Sequence, residues 1–94
     1  MVSPPSESAL IEAAQAGDRA AMGELLMMHA DRLARRLRPR LPPSLERVAS
    51  VDDILQQAFA DAYRDVGGFQ EREPGSFFAW LQTIAENRLR NAIK

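Results

Sequence analysis

Apolar residues recur along the chain at steps of three and four, the period of an amphipathic helix, and glycine, proline and serine interrupt that recurrence. The pattern predicts four helices. The first covers 7–16 (ESALIEAAQA) and stops at Gly17, the residue best suited to the left-handed position after a helix. Asp18 caps a second helix over 18–38, whose stripe runs through Met22, Leu25, Leu26, Ala30, Leu33 and Leu37, with Met27, Met28 and Ala34 towards its flanks. Arg35, Arg36 and Arg38 answer the negative end of its dipole, and Pro39 stops it. Residues 39–49 carry three prolines in five positions and read as a linker with one irregular turn around 44–47.

The third helix, 50–66, has the clearest signature. Ser50 and Asp53 have the spacing of a capping box, and Val51, Ile54, Leu55, Ala58, Phe59, Ala62, Tyr63 and Val66 follow the helical period throughout. Gly67 and Gly68 end it, 69–75 (FQEREPG) is a loop, and Ser76 is expected to cap a last helix over 76–94. The fold class is therefore all-α, a compact bundle of about four helices in one domain spanning 1–94.

Two helix faces remain once these stripes are buried. The third helix turns Asp52, Asp53, Gln56, Gln57, Ala60, Asp61 and Arg64 outward, an acidic and amide-rich face able to meet a basic or amide-rich partner helix. Asp52 and Asp53 also favour the helix start electrostatically. On the last helix Thr83, Asn87, Arg90, Asn91 and Lys94 fall in one polar stripe without carboxylates, carrying donors for phosphates and base edges. Phe69 precedes that helix in a loop. It is the aromatic expected to stack on single-stranded bases, whereas Phe77 and Trp80 are expected in the core.

Composition narrows the classes. Ninety-four residues bury too small a core to enclose a large active site as well. There is no cysteine, so no disulfide or zinc ribbon forms, and the single histidine, His29, cannot build a multi-histidine metal site. Without a glycine-rich phosphate loop, a cysteine nucleophile or a second histidine, the chain is not expected to be an enzyme, and no cofactor or metal is expected. His29 lies within the apolar stripe of the second helix and reads as a packed helix residue. No apolar run reaches the ~20 residues of a membrane span and the N terminus lacks a secretion signal, so a cytoplasmic protein is expected.

The formal net charge of -1 conceals a segregation. Residues 1–49 carry seven Arg against six acids; 50–75 carry Arg64 and Arg72 against Asp52, Asp53, Asp61, Asp65, Glu71 and Glu73; 76–94 carry Arg88, Arg90 and Lys94 against Glu86. An acidic middle and a basic end suit two surfaces with different partners.

Three strings resemble one family. LIEAAQAGDRAAMGELL is similar to the opening of bacterial sigma factors of the extracytoplasmic-function (ECF) type, DDILQQAFADAYRDVGGF to the helix with which they bind core RNA polymerase, and GSFFAWLQTIAENRLRNAIK to their promoter-melting and recognition helix. Gln57 and Asn91 stand where members often carry glutamate and aspartate, and Met22 replaces a common aromatic. The resemblance implies a region 2 domain that binds core polymerase and recognises and melts the promoter -10 element. By it, Asp53 and Gln56 are the polymerase contacts, with Phe59 as buried support; with Asp52 and Gln57 of the same outward face they make the expected polymerase-binding set. Phe69 and Asn87, with Thr83, Arg88, Arg90, Asn91 and Lys94 of the last helix, make the expected DNA-binding set. Asn87 matches an asparagine that helps capture a flipped non-template base, and Phe69 lies near the loop that covers it. Implied partners are core RNA polymerase, single-stranded promoter DNA and an anti-sigma factor, with no membrane; a helix-turn-helix domain is expected elsewhere in a longer protein. The competing reading is a helical protein-interaction module that never touches DNA.

Overall fold

The computed structural model describes residues 6–46 and 49–93. Among them the secondary structure is helical: α1 Glu7–Gln15, α2 Arg19–Leu37, a 3-10 turn Arg38–Arg40, α3 Pro43–Glu46, α4 Val51–Asp65, a 3-10 turn Val66–Gly68, and α5 Ser76–Ile93. The four long helices match the expected ones to within two residues where they are described.

The helix ends form for local reasons. Ser6 caps α1 by accepting from the Ala9 N–H at 3.1 Å. Gly17 then turns the chain at φ +103°, a conformation glycine adopts without steric cost. Asp18 accepts from the N–H groups of Ala20 and Ala21 to open α2. At α4 both arms of the capping box are present: Ser50 Oγ accepts from the Asp53 N–H at 3.2 Å, and Asp53 Oδ2 accepts from the Ser50 N–H at 3.0 Å. Ser76 does not cap α5. It is the first helical residue, its Oγ accepts from the Arg72 N–H at 3.4 Å, and Gly75, at φ +88°, supplies the carbonyl that receives the Ala79 N–H. The Pro-rich connection is also more ordered than a linker, with α3 inside it, Leu41 buried and Leu45 packed on the core.

The core joins one stripe from each long helix. Leu25, Leu33, Leu81, Ala58, Ala62 and Ala85 are completely enclosed, and Phe77 is 1% exposed. The alanines let the helices approach closely, with α4 lying against both α2 and α5 while α1 packs on α2. Met27 and Met28 stay outside, at 76% and 55% exposure, because they fall on the face of α2 turned away from its neighbours. His29 is half-buried, as expected, hydrogen-bonded to Glu7 of α1 and flanked by Phe77 and Phe78. Gln15 closes α1 onto the end of α4: its Nε2 donates to the carbonyls of Val66 (3.1 Å) and Phe69 (2.6 Å).

Candidate functional site

The capping box fixes where α4 begins, and the helical period then decides which of its side chains point outward. Asp52, Gln56, Gln57 and Ala60 are exposed, and the first three make no side-chain hydrogen bond among the described residues. Asp53 is exposed too, but one of its oxygens serves the cap, leaving the other for a partner. Phe59 is half-buried against the core beneath them.

One turn further, the same face changes character. Asp61 accepts two bonds from Arg88 of α5, at 2.6 and 2.7 Å, and lies 3.3 Å from Arg64, which also pairs with Asp65 at 2.9 Å. The bidentate Arg88 bond holds the Asp61 carboxyl below its ordinary range, against the opposing effect of desolvation. The C-terminal end of α4 is thus internally neutralised, and the acidic, amide-rich patch is confined to its first two turns.

On α5 the sequence-predicted DNA residues divide. Asn87, Arg90 and Asn91 are exposed on one face, with Arg90 donating to the Asn87 side-chain Oδ1. Thr83 is exposed beside them, its hydroxyl donating to the Ala79 carbonyl at 3.0 Å. Arg88 belongs elsewhere. It reaches sideways to Asp61 as a tie between helices, because its position faces α4 rather than the polar stripe. Lys94 lies outside the described residues.

Phe69 requires a second correction. It is 7% exposed, edge-on to Phe77 at 5.4 Å and 5.2 Å from Trp80, so no ring face is open to a base. The 3-10 turn at Val66–Gly68 and the Gln15 bond to its carbonyl fold it inward. Trp80 is the half-buried member of this aromatic cluster, two helical turns before Asn87 on the same side of α5.

The structure adds residues that sequence reasoning assigned to the helix dipole or left unread. Arg32 and Arg36 of α2 lie over the Phe78 ring, at 3.9 and 5.3 Å from its centroid. Arg36 also donates to Gln82 at 3.3 Å, and Arg40 lies 3.3 Å from Glu86. Their spacing of four residues was the available signal. Among the described residues no cluster of His, Asp and Glu could hold a metal ion, and no helix is long and apolar enough to cross a membrane.

Residues 25–94, which contain both faces, match the family model for sigma-70 region 2. The chain belongs to the sigma-70 family. This membership agrees with the resemblance read from the sequence. This sigma-70 region 2 domain is 34% identical over 88 residues to the ECF RNA polymerase sigma-E factor of Escherichia coli K12, covering 94% of the chain and 42% of that protein. It is 33% identical to the protein of the same name from Salmonella typhimurium LT2 and 29% identical to that from Haemophilus influenzae, each over 88 residues, covering 94% of the chain and 42% and 43% of those proteins. The sigma-70 chain therefore spans less than half the length of the curated relatives it matches.

Proposed function

We propose that this domain docks the N-terminal half of α4 on core RNA polymerase and presents α5 to the single-stranded non-template strand of the promoter -10 element, recognising and melting it. The observation that carries this reading is the placement of two chemically opposite faces on adjacent helices fixed to each other by the Arg88–Asp61 pair. On α4 two carboxylates and two glutamines lie exposed above an apolar base, the chemistry that accepts hydrogen bonds from a basic or amide-rich helix. On α5 Asn87 and Arg90 offer donors suited to base edges and phosphates. Trp80, half-buried and two helical turns before Asn87 on the same side of α5, is the aromatic with an edge left for a base, where stacking is worth about 1–3 kcal/mol.

With few cations on α5, binding to DNA alone is weak, and recognition appears once polymerase is present. The test is a pull-down with purified core enzyme followed by transcription from a cognate promoter. Asp52→Ala with Gln56→Ala weakens capture of core enzyme at least tenfold while sparing the α4 cap; unchanged capture overturns the docking face. Asn87→Ala erases the -10 preference of the assembled enzyme, and an unaltered preference removes α5 from recognition. Capture of core enzyme with no promoter-dependent transcription by any form of the protein favours a helical interaction module instead.

A further inference from the structure

The C-terminal third of α2, with the 3-10 turn that follows it, and the N-terminal two-thirds of α5 are stitched together in parallel, four residues at a time. Arg32 lies over Phe78, Arg36 bonds to Gln82, and Arg40 pairs with Glu86. Each step of four along α5, and the step from Arg32 to Arg36 on α2, advances about 6 Å, given a rise of 1.5 Å per residue. The exposed positions Ala79, Thr83 and Asn87 follow the three rungs by one residue each, so the arginine row runs alongside the polar stripe of α5.

The rungs are not equivalent in charge. Among the described residues only the third has a carboxylate: Glu86 takes a bond from Gln82 at 2.8 Å and faces Arg40, whereas Arg32 and Arg36 make no ion pair. Phe78 and Gln82 hold the two guanidinium groups in place yet leave most of their donors unused, since a guanidinium has five. Cations pre-positioned over a ring, one helical turn apart and beside a base-reading stripe, suit the phosphates of an extended single strand.

We propose that Arg32 and Arg36 bind phosphates of the single strand whose bases lie on Thr83 and Asn87, and that Glu86 holds Arg40 back from the same role. The proposal rests on the reading that α5 faces DNA, and extends the site onto a second helix. Phosphate binding of this kind adds affinity without sequence information.

The experiment measures binding of a fluorescent single-stranded oligonucleotide carrying a -10 element to the protein assembled with core RNA polymerase, across a salt series. Arg32→Gln with Arg36→Gln makes the log–log slope of affinity against salt shallower by about 1.4, roughly 0.7 for each phosphate no longer neutralised, and weakens matched and mismatched strands equally. Arg32→Lys with Arg36→Lys restores the slope, which a folding defect at Phe78 would not allow. Glu86→Gln frees Arg40 and steepens the slope by about 0.7. An unchanged slope in the glutamine pair, while Asn87→Ala still abolishes base preference, overturns the arginine row and leaves the DNA face standing. Unchanged binding in both the glutamine pair and Asn87→Ala overturns the DNA face itself.

Discussion

The outward faces of α4 and α5 have similar polar content but differ in how many of their residues are free to act. On α4 the four expected polymerase-binding residues are all exposed. On α5 and its preceding loop, Phe69 is buried and Arg88 is engaged with Asp61, while Thr83, Asn87, Arg90 and Asn91 remain outward. The difference follows from reach. Asp and Gln in the first turns of a helix extend only far enough to meet solvent or their own cap, so periodicity alone places them. Arginine and phenylalanine extend far enough to find a neighbouring helix, and their roles are set by what lies across the gap.

That contrast can be broken at several points, in descending order of effect. If Phe69 is core rather than platform, Phe69→Ala lowers stability by about 3–5 kcal/mol, the usual cost at a buried phenylalanine. Urea denaturation checks it, and an unaltered midpoint would return Phe69 to the surface. Next comes the start of α4. Ser50→Ala removes the donor-satisfying half of the capping box and costs about 1 kcal/mol while leaving Asp52, Gln56 and Gln57 in place. Its polymerase binding, measured below the unfolding transition, stays near the parent value if the exposed side chains carry the docking.

The tie between the faces is weaker again, because Arg88 is 37% exposed and water screens the pair. Its signature is in pH. The Asp61 carboxyl is held low by Arg88, so its contribution is complete above the ordinary carboxylate value of 3.8 and is lost as pH falls from there through the lowered folded value. Thermal melts of Asp61→Asn therefore show a shallower acid limb than the parent. A remainder persists from Glu86, which Gln82 and Arg40 hold low, and from Asp65 beside Arg64. An identical acid limb would show that the pair has no energetic weight. Smallest of all, Gln57→Ala and Asn91→Ala shift stability by no more than about 0.5 kcal/mol, as expected for surface positions. Gln57→Ala weakens only polymerase capture and Asn91→Ala only promoter use, which would separate the two faces functionally.

The long helices were legible because their punctuation is local. Gly17, Asp18 and Ser50 act on backbone groups within three residues, so their identity and spacing suffice. Ser76 misled for the opposite reason: its hydroxyl turns back to Arg72 across a loop whose course depends on Gly75. The short α3 falls where the sequence suggests no more than one irregular turn, because the core that Leu41 and Leu45 enter is built by distant helices. The α4 half of the candidate site could be read from residue type and period. The α5 half needed the neighbouring helices, since nothing in the local sequence sends Arg88 to Asp61 or sets Arg32 and Arg36 beside α5.

The bonds from Gln15 to the backbone of residues 66 and 69 have a temporal meaning as well. A polypeptide leaves the ribosome N terminus first, at about 5–20 residues per second, so the 54 positions between Gln15 and Phe69 correspond to a wait of roughly 3–11 s. During that interval α1 and α2 can pair as a helical hairpin, but the junction beneath Phe69 stays open, and its aromatic lining, Phe77 and Trp80, emerges later still. Helix α1 is thus made well before the contacts that close its C-terminal end onto residues 66 and 69.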